Sequence, residues 1–319
     1  GPPGTKCTSF AECRDLIAAG EEIDYDGISG PQDFNGNGEP MQGSYGILQF
    51  GADNRISPDI ELVEARLPDS AVVDHVPVTV EREGDGILKI GTILPETGNL
   101  AFLGPPEFAG VEFAIAEIND AGGVLGNPIE YSQGDSGGPA GDGVAPATAT
   151  RLLGEDVDAI IGAASSGVTL TFIDSVVTAG VTLFSPANTA VELADFPDNG
   201  LYFRNAPNDA MQGAIVADLV IDDGASSVFI LNLDDAYGNG IAAVAAGVLA
   251  DSGIEVLGVK AYDPNAPTFD AEVAEIVSLD PDAVILISFE EGSKILRGAV
   301  EQQVRSEERR VGKECRSRW

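Results

Sequence analysis

Two apolar runs in this chain end in small and hydroxyl-bearing residues. Asp158-Ala159-Ile160-Ile161-Gly162 leads into Ala163-Ala164-Ser165-Ser166-Gly167, and Val181-Thr182-Leu183-Phe184 leads into Ser185-Pro186-Ala187-Asn188-Thr189, with a helical stretch after each. Hydroxyl groups and the free N–H groups of a turn suit the holding of a polar or negatively charged group. In an open parallel sheet, ligands bind in the crevice outside the carboxyl ends of the strands. Small side chains there leave room. Two such turns, one crossover apart, read as a pocket for a small polar or zwitterionic molecule. The alternative is that each Ser or Thr is only an N-cap; the case for a pocket rests on the pair.

Other motifs point to chemistry and lack its partners. Gly134-Asp135-Ser136-Gly137-Gly138-Pro139 spells the nucleophile motif of chymotrypsin-like serine proteases. That chemistry needs a His base within hydrogen-bond reach. The one His, His75, lies far away in an acidic stretch, so the motif reads as a Gly-rich loop. Asp33, Asn35, Asn37 and Gly38 open like a calcium loop, but the twelfth position is Ser44 where a bidentate Glu is needed. A hairpin turn is the reading. Gly238-Asn239-Gly240 opens a helix without a third Gly at dinucleotide spacing. With neither His nor Cys in the α/β core, catalysis would rest on carboxylates, and no pair of them is set apart. The chain is therefore read as a binding protein, not an enzyme, with no cofactor. Cys7 and Cys13 lie six apart and either close a disulfide in an oxidising compartment or stay free thiols; no Cys-x-x-Cys is present, and no metal site is expected.

The 319 residues allow two domains. The net charge of −35 argues against nucleic acid or anionic lipid as partner, and fits a protein working in salt that screens self-repulsion. No apolar run reaches the length of a membrane span, and no signal sequence is read in these residues.

The elements that must position the two turns follow from the pattern. Leu88–Leu94, Pro128–Ser132, Ala159–Gly162, Val181–Phe184, Ser227–Asn232, Glu255–Tyr262 and Ala283–Ser288 read as strands. Helical patterns lie between them: Pro106–Ala121, Val144–Leu153, Val168–Ala179, Ala210–Asp222, Gly240–Asp251, Phe269–Ser278 and Ser293–Gln302. Alternation of this kind builds βαβ units and a parallel sheet. Leu201–Pro207 breaks the rhythm, so 88–206 is read as lobe one and 207–304 as lobe two, in separate sheets. Residues 1–55 hold a short helix, Phe10–Ala19, turn chemistry at Asp24–Gly27 and Ser29–Pro31, and a strand over Ser44–Phe50. Phe10, Leu16, Ile17, Tyr45, Ile47 and Phe50 call for burial. The acidic stretch 56–87 reads as a linker. Residues 305–319 hold six of the 17 basic residues and the one Trp, and resemble translated adapter read-through. They are set aside, with the expectation that the natural chain continues past Val304 and that lobe two is incomplete.

From Ile87 to Val304 the chain resembles the type I periplasmic binding proteins, in the Leu/Ile/Val-binding branch that serves ABC importers. The resemblance is carried by Ile90-Gly91-Thr92-Ile93-Leu94-Pro95-Glu96-Thr97-Gly98, Phe108-Ala109-Gly110, Ala116-Glu117-Ile118-Asn119-Asp120-Ala121-Gly122-Gly123, Ser165-Ser166, Ser185-Pro186-Ala187-Asn188-Thr189 and Asp235-Ala236-Tyr237-Gly238. Residues 1–55 resemble the closing helix and hairpin of the same family, so the order is tail, linker, head; a tandem gene or a circular permutant would give it. The resemblance implies an α/β fold of two Rossmann-like lobes with parallel sheets joined by a hinge. It implies that Ser166 holds a ligand carboxylate with hydroxyl and N–H, beside Ser165. It further implies that the Ala187 carbonyl takes an ammonium group, and that Thr189, next to Asn188, offers its N–H to the carboxylate and its hydroxyl to the ammonium. Tyr237 and Phe289 would form the lobe-two aromatic wall. Leu103 stands where relatives often carry an aromatic residue. The lobe-two acid for the ammonium would lie past Val304, with Glu290 and Glu291 as stand-ins. The implied function is extracytoplasmic capture of an amino acid or amide by hinge closure for a membrane ABC permease, at the periplasm or cell surface, with a lipid anchor as one way of holding it there. A receptor's ligand-sensing domain is the alternative.

Overall fold

The structure is a computed structural model, and it describes residues 4–27, 30–31, 34–51, 53, 55–67, 82–138 and 140–302. Ser29, Asp33, His75, the middle of the expected linker and the adapter-like segment 305–319 with Cys315 lie outside the described residues. The chain opens with β1 (Thr5–Cys7), α1 (Phe10–Ala18), β2 (Ile23–Gly27), β3 (Gly30–Pro31), β4 (Gln42–Ile47) and β5 (Glu61–Arg66). A strand–helix alternation follows: β6 (Lys89–Ile93), α2 (Gly104–Asp120), β7 (Glu130–Ser132), α3 (Val144–Gly154), β8 (Ala159–Gly162), α4 (Ser166–Leu170), α5 (Ile173–Thr178), β9 (Thr182–Ser185) and β10 (Tyr202–Arg204). The second run is α6 (Asp209–Asp222), β11 (Ser227–Leu233), α7 (Ala236–Asp251), β12 (Glu255–Tyr262), α8 (Asp270–Leu279), β13 (Ala283–Ile287) and α9 (Gly292–Glu301).

The chain divides into two compact units. One takes its residues from Gly1–Met41 and Pro68–Asn208, the other from Gln42–Leu67 and Asp209–Trp319. In the first unit five parallel strands run in the order β10-β9-β8-β6-β7. Ile93, Leu94, Ile160, Leu183, Leu152 and Ile173 fill its core. In the second, β11 lies between β12 and β13, all parallel. Its Val228, Phe229, Ile230 and Leu231 are almost without exposure, as a strand covered on both faces requires. The two alternating runs thus form two sheets, as the break at Leu201–Pro207 implied. That break is itself β10, an edge strand beside β9.

The opening segment departs from expectation in several places. Residues 1–55 do not act as one piece, because 1–41 belong to the first unit and 42–55 to the second. The stretch 56–87 is not linker throughout. Glu61–Arg66 pairs antiparallel with β4, from Gln42↔Arg66 to Ile47↔Glu61. Only Val63 and Ala65 turn partly inward, which is why its charged, aromatic-poor composition hid it. Asp24–Gly27 lies in β2, parallel to β1, rather than in a turn. Ile17 and Phe50 stay about half exposed, at 58% and 49%. In the nine-residue α1, Cys13 takes the inward position instead. Val168–Ala179 is two short helices, α4 and α5.

Several contacts dock the 34–40 hairpin on the edge of the first sheet. The Arg204 N–H donates to the Gly38 carbonyl at 2.9 Å. Gly38 has φ +70°, and a Cβ there would lie 2.3 Å from the Tyr202 carbonyl oxygen, so only glycine fits. The Phe34 ring meets Phe184 and Phe203 edge-on at 6.2 and 5.8 Å. In the same unit α1 lies against α2, where Arg14 donates to the Ala121 carbonyl.

Cys7 and Cys13 are buried and joined, with Cα atoms 5.3 Å apart. The bond clips β1 to α1, whose N-cap Ser9 accepts the Glu12 N–H while Glu12 accepts the Thr8 N–H. Closing so short a loop stabilises by about 2–3 kcal/mol through the unfolded chain. Replacing both cysteines by Ser is expected to lower stability by that order. Urea unfolding under oxidising conditions measures it, and an unchanged midpoint would show that the link adds nothing.

Candidate ligand-binding site

The ends of β8 and β9 lie side by side in the first unit, and side-chain hydrogen bonds join the turns that follow them. β8 ends at Gly162, whose φ of +142° and close approach to Ile93 (a Cβ would sit 2.1 Å from its carbonyl oxygen) admit no side chain. Ser165 caps α4 by accepting the Val168 N–H at 3.3 Å. Ser166 is 3% exposed, and its Oγ accepts the N–H groups of Thr189 and Ala190, each at 3.2 Å. Ser185 Oγ donates to the Ala163 carbonyl at 2.7 Å and accepts the N–H of Asn188 at 2.9 Å. The two turns predicted to share a pocket are therefore brought together. Ser165, Ala187 and Thr189 keep partial exposure there, and half-buried Leu103 precedes α2 in the same unit.

The geometry changes two of the expected roles. Asn188, expected among the ligand-holding residues, is fully buried and its amide is engaged on both ends. Its Nδ2 donates to the carbonyls of Ala163 and Ala164 at 2.9 and 3.0 Å, and its Oδ1 accepts the Tyr202 hydroxyl at 3.0 Å. It is a strut between strand ends. The Thr189 N–H, expected to face a carboxylate, is directed at Ser166 Oγ. A serine hydroxyl has two acceptor positions and one O–H donor. With two N–H groups received, the O–H of Ser166 is what remains to meet an anion.

In the second unit Tyr237 and Phe289 are stacked, with centroids 5.4 Å apart and planes at 13°. Asp235 caps α7 by accepting the Gly238 N–H at 2.7 Å. Burial pushes its carboxyl up to about 6, helped by Glu291 and Asp234 and opposed by the N–H groups of Gly238 and Tyr237. Burial likewise pushes the Tyr237 hydroxyl up to about 12. Glu291, 6% exposed, accepts the Tyr262 hydroxyl at 2.8 Å and the Phe289 N–H at 3.0 Å through Oε1. Its Oε2 is buried with no hydrogen-bond partner among the described residues. Glu290, the other stand-in, is exposed. Glu291 had no signal beyond its neighbour, since two adjacent Glu look alike in sequence until one is folded inward.

The serine-protease-like stretch is a structural loop. Ser136 is 3% exposed, and its N–H donates to the Leu94 carbonyl. Asp135 accepts the N–H groups of Glu96, Thr97 and Gly137 and the Thr97 hydroxyl. Burial would raise its carboxyl, but these bonds outweigh it and hold the group below its usual range. Asn35 Oδ1 accepts the N–H groups of Asn37 and Glu39, as in a tight turn. No metal-holding cluster of His, Cys, Asp and Glu occurs among the described residues.

Asp235 gives a pH prediction. Its folded value near 6 stands above the ordinary 3.8, so the folded state binds more protons between about pH 4 and 6. Stability contributed at low pH is then lost as pH rises through that window. Asp235→Asn keeps an N-cap acceptor and removes the titration. It is expected to be about 1–2 kcal/mol more stable relative to the parent at pH 7 than at pH 4, after allowance for partial exposure. Urea unfolding at a series of pH values measures this, and identical slopes for parent and variant would contradict it.

Comparison with known proteins places this architecture. The profile of a family described as periplasmic binding protein matches residues 87–305. Leu/Ile/Val-binding protein BraC3 of Rhizobium johnstonii is 30% identical over 200 residues, 62% of this chain and 53% of the relative. The chemotactic signal transduction system substrate-binding protein BasB of Halobacterium salinarum is 32% identical over 208 residues, 62% of this chain and 49% of the relative. The chain thus spans about half the length of the curated relatives it matches. Among solved structures, the branched-chain amino acid transporter substrate-binding protein LivJ of Streptococcus pneumoniae, in complex with isoleucine, is 28% identical with a TM-score of 0.59, over 69% of this chain and 62% of that one. Two parallel α/β sheets and a family match over most of the chain lead to one conclusion: the chain belongs to the type I periplasmic binding proteins, in their Leu/Ile/Val-binding branch.

Proposed function

We propose that this protein captures a branched-chain or similar amino acid outside the cytoplasm by hinge closure and delivers it to an ABC permease. The observation that carries the reading is Ser166, whose Oγ ties the Thr189–Ala190 backbone to the β8 turn and leaves its O–H to donate. In this reading Ser166 and Ser165 hold the carboxylate, and the Ala187 carbonyl and Thr189 hydroxyl take the ammonium. Tyr237 and Phe289 belong to the lobe-two wall, and Leu103 to the side-chain end. In this reading the ligand shifts the protein toward its closed form by binding that form more tightly. Binding, not bond breaking, is the function of this family. The buried Cys7–Cys13 disulfide suits an oxidising compartment outside the cytoplasm. Among the described residues no helix is long and apolar enough to cross a membrane.

A second reading, a ligand sensor that reports to a signalling receptor in place of a permease, is favoured by the likeness to a chemotactic substrate-binding protein. Co-purification with solubilised membranes carrying a permease, or with a chemoreceptor, separates the two.

Calorimetry with isoleucine, leucine and valine tests the ligand class. Ser166→Ala and Thr189→Ala each remove a hydrogen bond to a charged group, about 1.5–3 kcal/mol, so affinity is expected to fall roughly ten- to a hundredfold. Equal affinity in both variants would place the pocket elsewhere, and no heat with any of the three would reject the amino-acid reading.

A further inference from the structure

We infer that Glu39, on the 34–40 hairpin, is a positioning residue for the ligand-holding turn Ser185–Ala190, and acts on it through Arg204. Glu39 and Arg204 are each 1% exposed, and 165 positions separate them in the chain. Arg204 Nε donates to Glu39 Oε2 at 3.0 Å, and Nη2 donates to the same oxygen. Asn208 Nδ2 donates to it as well, at 3.2 Å. The remaining arm of the guanidinium reaches the ligand-holding turn: Nη1 donates to the Ala190 carbonyl at 2.8 Å. On its other side Ala190 donates its N–H to Ser166 Oγ. A continuous path of bonds therefore runs from Glu39 through Arg204 and Ala190 to Ser166.

The physics makes this path directional. A guanidinium is a rigid planar fork, so fixing two of its arms aims the third. Without Glu39, Arg204 becomes a buried charge with no counterion. It must then turn toward water, and that movement releases the Ala190 carbonyl. Ala190, wholly buried, cannot replace that bond from solvent. The turn then loses the anchor that sets where Ser166 and Thr189 stand. Glu39 touches no ligand in this account; the consequence for affinity rests on the proposed role of Ser166, whereas the consequence for the turn does not.

The test reads the turn and the ligand separately, in the whole chain. Amide hydrogen exchange at Thr189 and Ala190 is measured by NMR in Glu39→Gln, in Glu39→Asp, and in the charge-free pair Glu39→Gln with Arg204→Gln. The pair leaves no lone buried charge and keeps the fold available if Glu39→Gln alone does not fold. Val157→Ala, which removes a buried side chain elsewhere in the same unit, controls for general loss of stability. Exchange at the two amides is expected to quicken at least tenfold in Glu39→Gln and in the pair. In Glu39→Asp and Val157→Ala it stays within threefold of the parent. Unchanged exchange in the pair, or equal acceleration in Val157→Ala, would overturn the inference. Calorimetry with L-isoleucine on the same proteins is expected to show at least a tenfold loss in Glu39→Gln. Full affinity beside quickened exchange would overturn the positioning of the ligand site. A parent that binds none of isoleucine, leucine and valine would reject the amino-acid reading, with the exchange result still deciding whether Glu39 sets the turn.

Discussion

Polar groups buried at the ends of β8 and β9 must find partners inside the protein, and that requirement shapes the whole first unit. Ala163 and Ala164 present carbonyls that no ladder partner meets; Ser185 and Asn188 supply the donors. Asn188 then needs a donor of its own, and the Tyr202 hydroxyl provides it from β10. The Thr189 and Ala190 N–H groups need an acceptor, and Ser166 Oγ provides it from the neighbouring turn. The Ala190 carbonyl needs a donor, and Arg204 comes with its own countercharge, Glu39. Each solution brings in another element, until three strands, two turns and a distant hairpin form one bonded unit.

This closure gives the small residues their meaning. Ala163, Ala164 and Ala187 carry no polar atoms beyond the backbone, so hydroxyls and amides from neighbours must complete them. Rigidity of the turn follows, because its backbone is bonded on both faces. If the turn meets a ligand as proposed, it loses little conformational freedom in doing so. The second unit solves a related problem differently. Its strand-end acids, Asp235 and Glu291, are partly desolvated close to one another, and the Tyr262 hydroxyl and backbone N–H groups share the load.

The 34–40 hairpin bears on the family's architecture. The hairpin precedes the family-matched residues 87–305 in this chain, and it packs on the first sheet through Gly38, Phe34 and Glu39. Fit of this kind needs only that the hairpin be present, not that it follow in any given order along the chain. A compact unit is indifferent to where its pieces are joined, provided the contacts are kept.

Much was legible in the sequence, because it lies in local pattern. The alternation of short apolar strands with helices fixed the parallel α/β class. The interruption near Leu201–Pro207 marked the change of sheet, and the hydroxyl-rich ends of two strands marked where the turns gather. Glycines at Gly38 and Gly162 were visible as residues, but not as the close approaches that demand them. The tertiary structure alone decided which hydroxyl faces inward. Ser165 and Ser166 are neighbours of one type, yet one caps a helix at the surface and the other bridges two turns. It also turned Asn188 from a ligand contact into a strut, folded β5 out of an apparent linker, and joined Glu39 to Arg204. The physical reason is the same in each case. Hydrogen bonds and buried charges are settled by distance in space, and composition and spacing along the chain carry no record of a partner 165 residues away.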